Sequence, residues 1–362
     1  MKSLTHVQSV VERRNTIPIL SNILLRAEND RLSLTATDMD LEVIETTTAE
    51  VSEPGATTTP AHTLYEIVRK LPEGSQVQIA LEPGAGRLTL SAGRSKFNLA
   101  VLPVDDFPVM SGGDLPVSFG LAAAELRGLI DRAEFAISTE ETRYYLNGIY
   151  FHATDAEGTK ILRAVATDGH RLARVEAPLP EGAENMPGVI VPRKTIGELR
   201  KLIDETGEAV DIAMSDTKIR FGFGEAVLTS KLIDGTFPDY ERVIPSGNDK
   251  TLDIECKSFA DAVDRVSAIS IEKSRAVKVV LSGTTLTLSA SSPEHGTASE
   301  ELEINYDAED IEIGFNSRYL LDIAKQVKGD TLNLLMSDGS SPTILRDTDD
   351  LSALYVLMPM RV

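Results

Sequence analysis

The chain has 362 residues, more than one ordinary hydrophobic core accommodates, so two or three domains are expected. Its 56 acidic and 36 basic residues leave a formal net charge of −20, which argues against a nucleic-acid partner unless the basic residues are segregated. The single cysteine, Cys256, excludes an internal disulfide framework and a cysteine-based zinc site, and reads as inert filler. No apolar run is long enough to cross a bilayer and the N-terminal stretch lacks the apolar centre of a signal peptide, so a soluble cytoplasmic protein is expected.

In chain order, LTHVQSVVERR (4–14) carries helical spacing and RLSLTATDMDLEVIE (31–45) alternates as half-buried antiparallel strands do. PAHTLYEIVRKL (60–71) is again helical, and 77–102 alternates. Helices follow over LAAAELRGLIDRAEFAI (121–137) and PRKTIGELRKLIDE (192–205), then strands over KIRFGFGEAVLTSKL (218–232). KSFADAVDRVSAIS (257–270) and NSRYLLDIAKQVK (316–328) are the last helices, with the strand TLTLSAS (285–291) between them. Several helices open on a capping residue or a first-turn proline. Six helices among many strands make the class α+β.

The elements repeat. A helix, strands ending in an acidic turn, a second helix and a β-meander occur three times. The turns TATDMDLEV (35–43), VATDGHRLARV (165–175) and SASSPEHGTASEEL (289–302) lie about 130 residues apart. Three equivalent domains follow, 1–116, 117–246 and 247–362, with seams near Pro116 and Ser246 in loops rich in Gly, Pro, Ser and Asp.

Catalytic signatures are missing. Asp168 reads as a side chain capping its own turn and Gly169 as the positive-φ residue the turn needs. His170 has no second histidine at ligand spacing and no nucleophile motif or orienting carboxylate, so neither a metal site nor a general base is expected, and no cofactor motif occurs. GAGR (84–87) and GFGE (222–225) read as β-turns.

TIPILSNILL (16–25), RYYLNGIYF (143–151), ATDGHRLA (166–173), VIVPRK (189–194), TSKLIDGTFPDYERVIP (229–245) and YVLMPMRV (355–362) resemble the signature segments of the bacterial DNA polymerase III beta subunits, the sliding-clamp family. The resemblance runs in order over essentially the whole chain. It implies three DNA-clamp domains, each with two helices on antiparallel sheets, and a head-to-tail homodimer forming a six-domain ring around double-stranded DNA. Such a ring tethers the replicative polymerase and has no catalytic activity of its own. Twelve helices about 10–12 Å across, side by side, would enclose a bore of roughly 28–34 Å, wide enough for a duplex. The family pattern also implies a first strand and more of the first helix ahead of Met1, so the first domain is expected to lack an edge strand.

Basic residues gather on or beside the six helices, among them Arg13, Arg14, Arg69, Lys70, Arg127, Arg132, Arg193, Lys194, Arg200, Lys201, Arg265, Arg318, Lys325 and Lys328, while acids crowd DAED (307–310) and DTDD (347–350). Glu66, Asp131, Glu198 and Asp264 share those helices, so ordinary solvated faces are the alternative. Arg14, Arg69, Arg193 and Lys194, with the Tyr144 and Tyr145 hydroxyls on a protruding loop, are expected to touch phosphate without reading bases. The tyrosines read alternatively as core residues of a strand.

By the same resemblance a groove takes the short linear motif of the polymerase alpha subunit, clamp-loader subunits and repair proteins. Leu146, Thr167, Gly169, His170, Arg171 and Leu172 line it from the second domain, with Pro238, Arg242 and Val243. The third domain gives Asn316, Tyr319, Val356, Leu357, Met358, Pro359, Met360 and Arg361. Methionines and aliphatics would form an adaptable slot, with His170 and Arg171 at the rim; a plain last strand is the alternative for VLMPM. At the ends of the chain, Phe97 and Leu99 are expected to meet Ile269 and Ile271 of a second copy. The competing readings are a monomeric, non-catalytic scaffold of the same fold and an enzyme with an unfamiliar β-rich site.

Overall fold

The three sequence repeats fold as three nearly identical runs of elements. The computed structural model describes residues 1–81, 86–110, 112–203, 209–270 and 275–362. The first repeat runs α1 (Lys2–Val10), β1 (Asn22–Glu28), β2 (Arg31–Thr37), β3 (Leu41–Thr48), β4 (Gly55–Pro60), α2 (Ala61–Arg69), β5 (Gln78–Leu81), β6 (Arg87–Ala92) and β7 (Ser95–Ala100). The second places β8 (Val117–Ala122) ahead of α3 (Ala123–Ala133), then β9 (Gly148–Ala156), β10 (Thr159–Thr167), β11 (Arg171–Pro178), β12 (Val189–Pro192), α4 (Arg193–Ile203), β13 (Ala209–Met214), β14 (Lys218–Phe223) and β15 (Ala226–Lys231). The third is β16 (Lys250–Glu255), α5 (Cys256–Ser267), β17 (Ala276–Ser282), β18 (Thr285–Ser292), β19 (Gly296–Glu303), β20 (Ile311–Asn316), α6 (Ser317–Ala324), β21 (Thr331–Met336), β22 (Thr343–Asp347) and β23 (Ala353–Leu357).

All six expected helices form, several shorter than their apolar spacing suggests. The first stops at Val10 because Val11 is already extended and its N–H turns back to the Gln8 carbonyl. The third gives way to a 3₁₀ turn at Glu134–Ala136. The last stops at Ala324, beyond which the Gln326 and Val327 amides make tighter bonds to the Ile323 and Ala324 carbonyls. Asp204 and Glu205, at the end of the fourth, lie outside the described residues, as do Gly84 and Ala85 of the GAGR turn.

The acidic turns of the first two repeats share three capping bonds. Asp168 Oδ1 accepts the His170 and Arg171 amides at 2.9 and 3.0 Å, and Thr167 Oγ1 accepts the Gly169 amide at 3.1 Å. Asp38 Oδ1 accepts the Asp40 and Leu41 amides at 2.9 and 2.7 Å, and Thr37 Oγ1 accepts that of Met39 at 3.0 Å. Gly169 has φ +88°, and Met39 holds φ +79° in the same place at the cost a side chain incurs there. The Asp at the turn is therefore a backbone cap, as the sequence suggested.

The chain packs as two compact units: residues 1–127 with 180–232, and residues 128–179 with 233–362. In the first, one antiparallel sheet runs β4-β1-β2-β3-β15-β14-β13-β8 and a second runs β5-β6-β7. Strand β3 of the first repeat joins β15 of the second, with Val43 opposite Leu228. Helix α1 lies on β2 and β3 between α2 and α4, burying Leu4, Val7 and Val10. Each such side chain contributes about 1.5–3 kcal/mol relative to exposure. His62 of α2 ties the helices together through Gln8 and the Val11 carbonyl, both at 3.0 Å.

Strand β5 is an exposed edge in this unit, with Ile79 and Leu81 open to solvent. The corresponding β13 is covered by β8, and β21 by β16. No strand fills that place on β5 among the described residues.

In the second unit one sheet runs β9-β10-β11-β23-β22-β21-β16 and the other β19-β18-β17-β20, with α5 and α6 packed side by side. Here β11 of the second repeat joins β23 of the third, Leu172 opposite Val356, just as β3 joins β15. Asp347, placed among the surface acids by the sequence, is buried, and its carboxylate accepts the Lys328, Gly329 and Asp349 amides. Burial alone would raise its pKa; the three amides prevail and lower it.

A polar row crosses β9, β10 and β11, where His152 and Glu176 sit opposite Arg163 from either side. Arg163 is 7% exposed. Its Nε donates to Glu176 at 2.7 Å and its Nη1 to Glu241 at 2.5 Å and to the Tyr240 hydroxyl at 3.2 Å. Burial pushes the His152 imidazole below its usual 6.5, and Arg163 beside it acts in the same direction. The unfolded chain therefore takes up a proton at His152 before the folded protein does, so this contribution is fully present above pH 6.5 and declines as the pH falls below it. The urea midpoint of the wild type should consequently drop between pH 7.5 and pH 5.5 by more than that of His152→Asn; equal drops would show that His152 plays no part.

Candidate functional site

The turn at 167–171 and the C-terminal tail form one surface of the second unit. β11 pairs with β23 so that Arg171 faces Leu357, and the Met358 amide continues the ladder to the His170 carbonyl at 2.9 Å. Two residues on, the Met360 amide reaches the Gly314 carbonyl at 2.9 Å. A side chain at Gly314 would stand 2.4 Å from Val362, so glycine there admits the tail. The tail is thus held on both sides, which leaves Met358 41% exposed while Leu357 beneath it is fully buried.

Aromatic and charged groups close the near end. Tyr319 stacks on His170 at 6.5 Å between ring centroids, and the Arg171 guanidinium lies over Tyr319 at 4.2 Å and over Phe135 at 5.1 Å. Arg171 also pairs with Asp168 at 3.1 Å and Asp322 at 2.7 Å. Burial raises the Tyr319 phenol above its usual range.

A second wall comes from the 3₁₀ segments Glu141–Leu146 and Tyr240–Val243. Arg143 Nη1 stands 2.6 Å from where a Gly169 side chain would begin, and Tyr145 packs against Gly235. Pro238, Arg242 and Val243 project into solvent, Val243 being 50% exposed. Phe237 and Tyr240 turn inward, Phe237 stacking on Tyr150 at 4.9 Å and Tyr240 bonding His152 at 2.8 Å.

The residues expected at a groove divide by role. Leu146, Leu172, Val356 and Leu357 are buried and form its floor. Gly169, His170, Pro238, Arg242, Val243, Met358 and Arg361 are exposed, with Thr167, Pro359 and Met360 half-buried. Two of them also hold the local structure together. Arg171 is not a free rim cation, because two carboxylates and two rings already hold it. The Asn316 side chain is occupied as the N-cap of α6, accepting the Arg318 and Tyr319 amides at 3.0 and 3.4 Å. The sequence does not mark His152, Arg163 and Tyr240, because their partners lie on other strands and turns, nor Arg143, whose partner Glu140 is a neighbour in the chain.

The cations expected at DNA are less segregated than the sequence suggested. Lys194 bridges Glu12 at 3.1 Å and Asp38 at 2.5 Å; desolvation opposes its charge, but the two carboxylates prevail and raise its pKa. Arg69 and Lys70 share Glu66, Lys201 pairs with Glu198, and Arg265 with Glu300. Arg132 is tied to Asp350. Arg13, Arg14 and Arg193 are exposed and make no ion pair among the described residues. The Lys194–Glu12 bond sets Arg13 and Arg14 beside the start of α4. Tyr144 lies in a 3₁₀ turn and not in a strand, and is 54% exposed. Tyr145 is half-buried beside it.

At the chain ends, Phe97 is half-buried on β7, whereas Leu99 is 7% exposed and already covered within its own protomer. Ile269 is half-buried; Ile271 lies outside the described residues. Among the described residues no cluster of His, Cys, Asp or Glu could hold a metal ion, and no helix is long and apolar enough to cross a membrane.

Comparison with known proteins agrees along the full length. Models of the DNA polymerase III beta subunit match in three parts, the N-terminal domain at 1–111, the central domain at 120–239 and the C-terminal domain at 241–361. The beta sliding clamp of Caulobacter vibrioides is 57% identical over 362 residues, covering all of this chain and 97% of that protein. A crystal structure of the Caulobacter crescentus beta sliding clamp superimposes with a TM-score of 0.98 at 57% identity over 100% of this chain and 96% of that one. The sliding clamp of Bartonella birtlesii, solved bound to griselimycin, gives 0.97 at 51% identity with the same coverage. With every repeat matched in order and the turn and tail in place, the chain belongs to the DNA polymerase III beta subunit family, the beta sliding clamps.

Proposed function

We propose that the chain works as a DNA sliding clamp: a head-to-tail ring that encircles duplex DNA and holds the replicative polymerase to it. The observation that carries this reading is the pair of open sheet edges. Wherever two repeats adjoin within the chain, the third strand of one pairs with the last meander strand of the next, as β3 does with β15 and β11 with β23. Continuing that rule, β19 of the third repeat calls for β7 of a first repeat, and both are sheet edges here. Their charges are complementary: Glu301 and Glu303 lie on β19, and Lys96 lies on β7 next to Arg94. Pairing between copies leaves neither edge open, and a heterologous contact that closes makes a ring. Two copies of three repeats give the six-domain ring of the family, with domain seams near Pro116 and Ser246. Two such complementary edges disfavour a monomeric scaffold.

Phosphate contact falls first to Arg14 and Arg193, with Arg69, Lys194, Tyr144 and Tyr145 in support. Loose contact to phosphate without base readout suits a ring that slides. The groove takes a short peptide motif from the polymerase alpha subunit, clamp-loader subunits and other replication or repair proteins. No catalytic activity, cofactor or metal is assigned to the chain, and its place is the cytoplasm.

Replacing Arg14 and Arg193 together by Ala should weaken DNA binding regardless of sequence and flatten the log–log salt slope by up to about two units, roughly one per lost phosphate contact, whereas Lys194→Ala should change it less. Sequence-selective loss in a filter-binding titration would contradict this contact. Phe97→Asp should convert a double-mass species into a single-mass one by light scattering, because burying an unpaired carboxylate costs several kcal/mol. An undiminished double mass would exclude β7 from the interface. A glutamine–leucine–phenylalanine-type peptide should bind at micromolar strength, about −8 kcal/mol, and deletion of Met358–Val362 should abolish that binding by calorimetry while the ring persists. Full affinity in the deletion would remove the tail from the groove.

A further inference from the structure

Pro238, Arg242 and Val243 stand on a segment with no sheet partner of its own, and what fixes it lies underneath. Its two inward residues, Phe237 and Tyr240, are 8% and 6% exposed. Tyr150 is sandwiched between His152 at 4.8 Å and Phe237 at 4.9 Å, with interplanar angles of 24° and 8°. The Tyr240 hydroxyl meets His152 Nε2 at 2.8 Å and Arg163 Nη1 at 3.2 Å, and the same Nη1 holds the Glu241 carboxylate. Arg163 is fixed from the other side by Glu176, whose carboxylate also forms an ion pair with Arg174 at 3.2 Å. One buried guanidinium on β10 thus grips two consecutive residues of the segment.

We infer that Arg163, through Tyr240 and Glu241, is a positioning residue for the peptide groove, setting the wall that carries Pro238, Arg242 and Val243 without touching the peptide itself. This rests on the groove reading above. A buried guanidinium is costly unless fully paired, so its partners can be displaced only together. The wall is therefore held in one place before a peptide arrives, which lowers the ordering cost of binding.

The test uses full-length chain and the same glutamine–leucine–phenylalanine-type peptide. Arg163→Met should weaken the peptide about tenfold, and Tyr240→Phe, which keeps the ring packing and removes only the hydroxyl, by a smaller factor. In a Pro238→Ala, Val243→Ala background, where the wall has lost its contacts, Arg163→Met should cost almost nothing further; a general loss of structure would instead add in full. Amide exchange in 240–243 should accelerate in Arg163→Met, with the Met358 and Met360 amides unchanged. Full additivity, or undiminished affinity in a folded Arg163→Met, would overturn the inference. Should Arg163→Met fail to fold, Tyr240→Phe decides alone, and unchanged affinity and exchange there would overturn it. Failure of the wild type to bind the peptide would instead remove the groove reading and this one with it.

Discussion

The structure depends on one constraint: the edges that each repeat presents to the next, a third strand and a last meander strand, must be covered. Each repeat offers a third strand on one side and a last meander strand on the other, and neither is satisfied within its own repeat. β3 and β11 find β15 and β23 in the following repeat, and these junctions make continuous sheets out of separate sequence units. The compact units consequently do not follow the sequence seams, since the second repeat gives strands to both. The same requirement, applied to β7 and β19, turns a three-repeat chain into a component of something larger. Helices pack on the faces of these sheets and leave the edges to govern association.

The surface proposed as the peptide groove arises from the same junction. Because β11 and β23 are partners, the turn preceding β11 and the tail following β23 emerge side by side, and the Met358–His170 bond extends the ladder past the last strand. Arg171 then clamps the turn to α6 through Asp322 and Tyr319, so the residue expected at the rim also braces the turn. The exposed methionine above a buried leucine floor suits a site that accepts many related peptides. The buried row at Arg163 sets the opposite wall. Hydrogen-bonded cross-strand neighbours, and not the exposed lining residues, carry the geometry of the site.

What the sequence made legible was local or periodic. The threefold repeat, all six helices and the capping role of Asp168 follow from spacing and short-range hydrogen bonds, and the structure has them. Helix ends came out shorter, because backbone bonds at Val11 and beyond Ala324 redirect the chain where the apolar pattern continues. Lys194 was read as a cation available to phosphate, yet its partners Glu12 and Asp38 lie 182 and 156 residues away. Tyr240 is 77 residues from Arg163, so nothing in either neighbourhood announces their bond. Leu99 fits the alternation of an edge strand, and only the packing shows that it faces its own core.

The central claim is that the open β7 and β19 edges pair between copies and close a ring around DNA. The most direct measurement is topological: the protein is loaded by the family's clamp loader onto a nicked circle, free protein is removed, and retention is followed before and after the circle is cut once. A closed ring persists on the intact circle and leaves by the ends on linearisation, and retention is lost in Phe97→Asp. Equal retention on circular and linear DNA would contradict it.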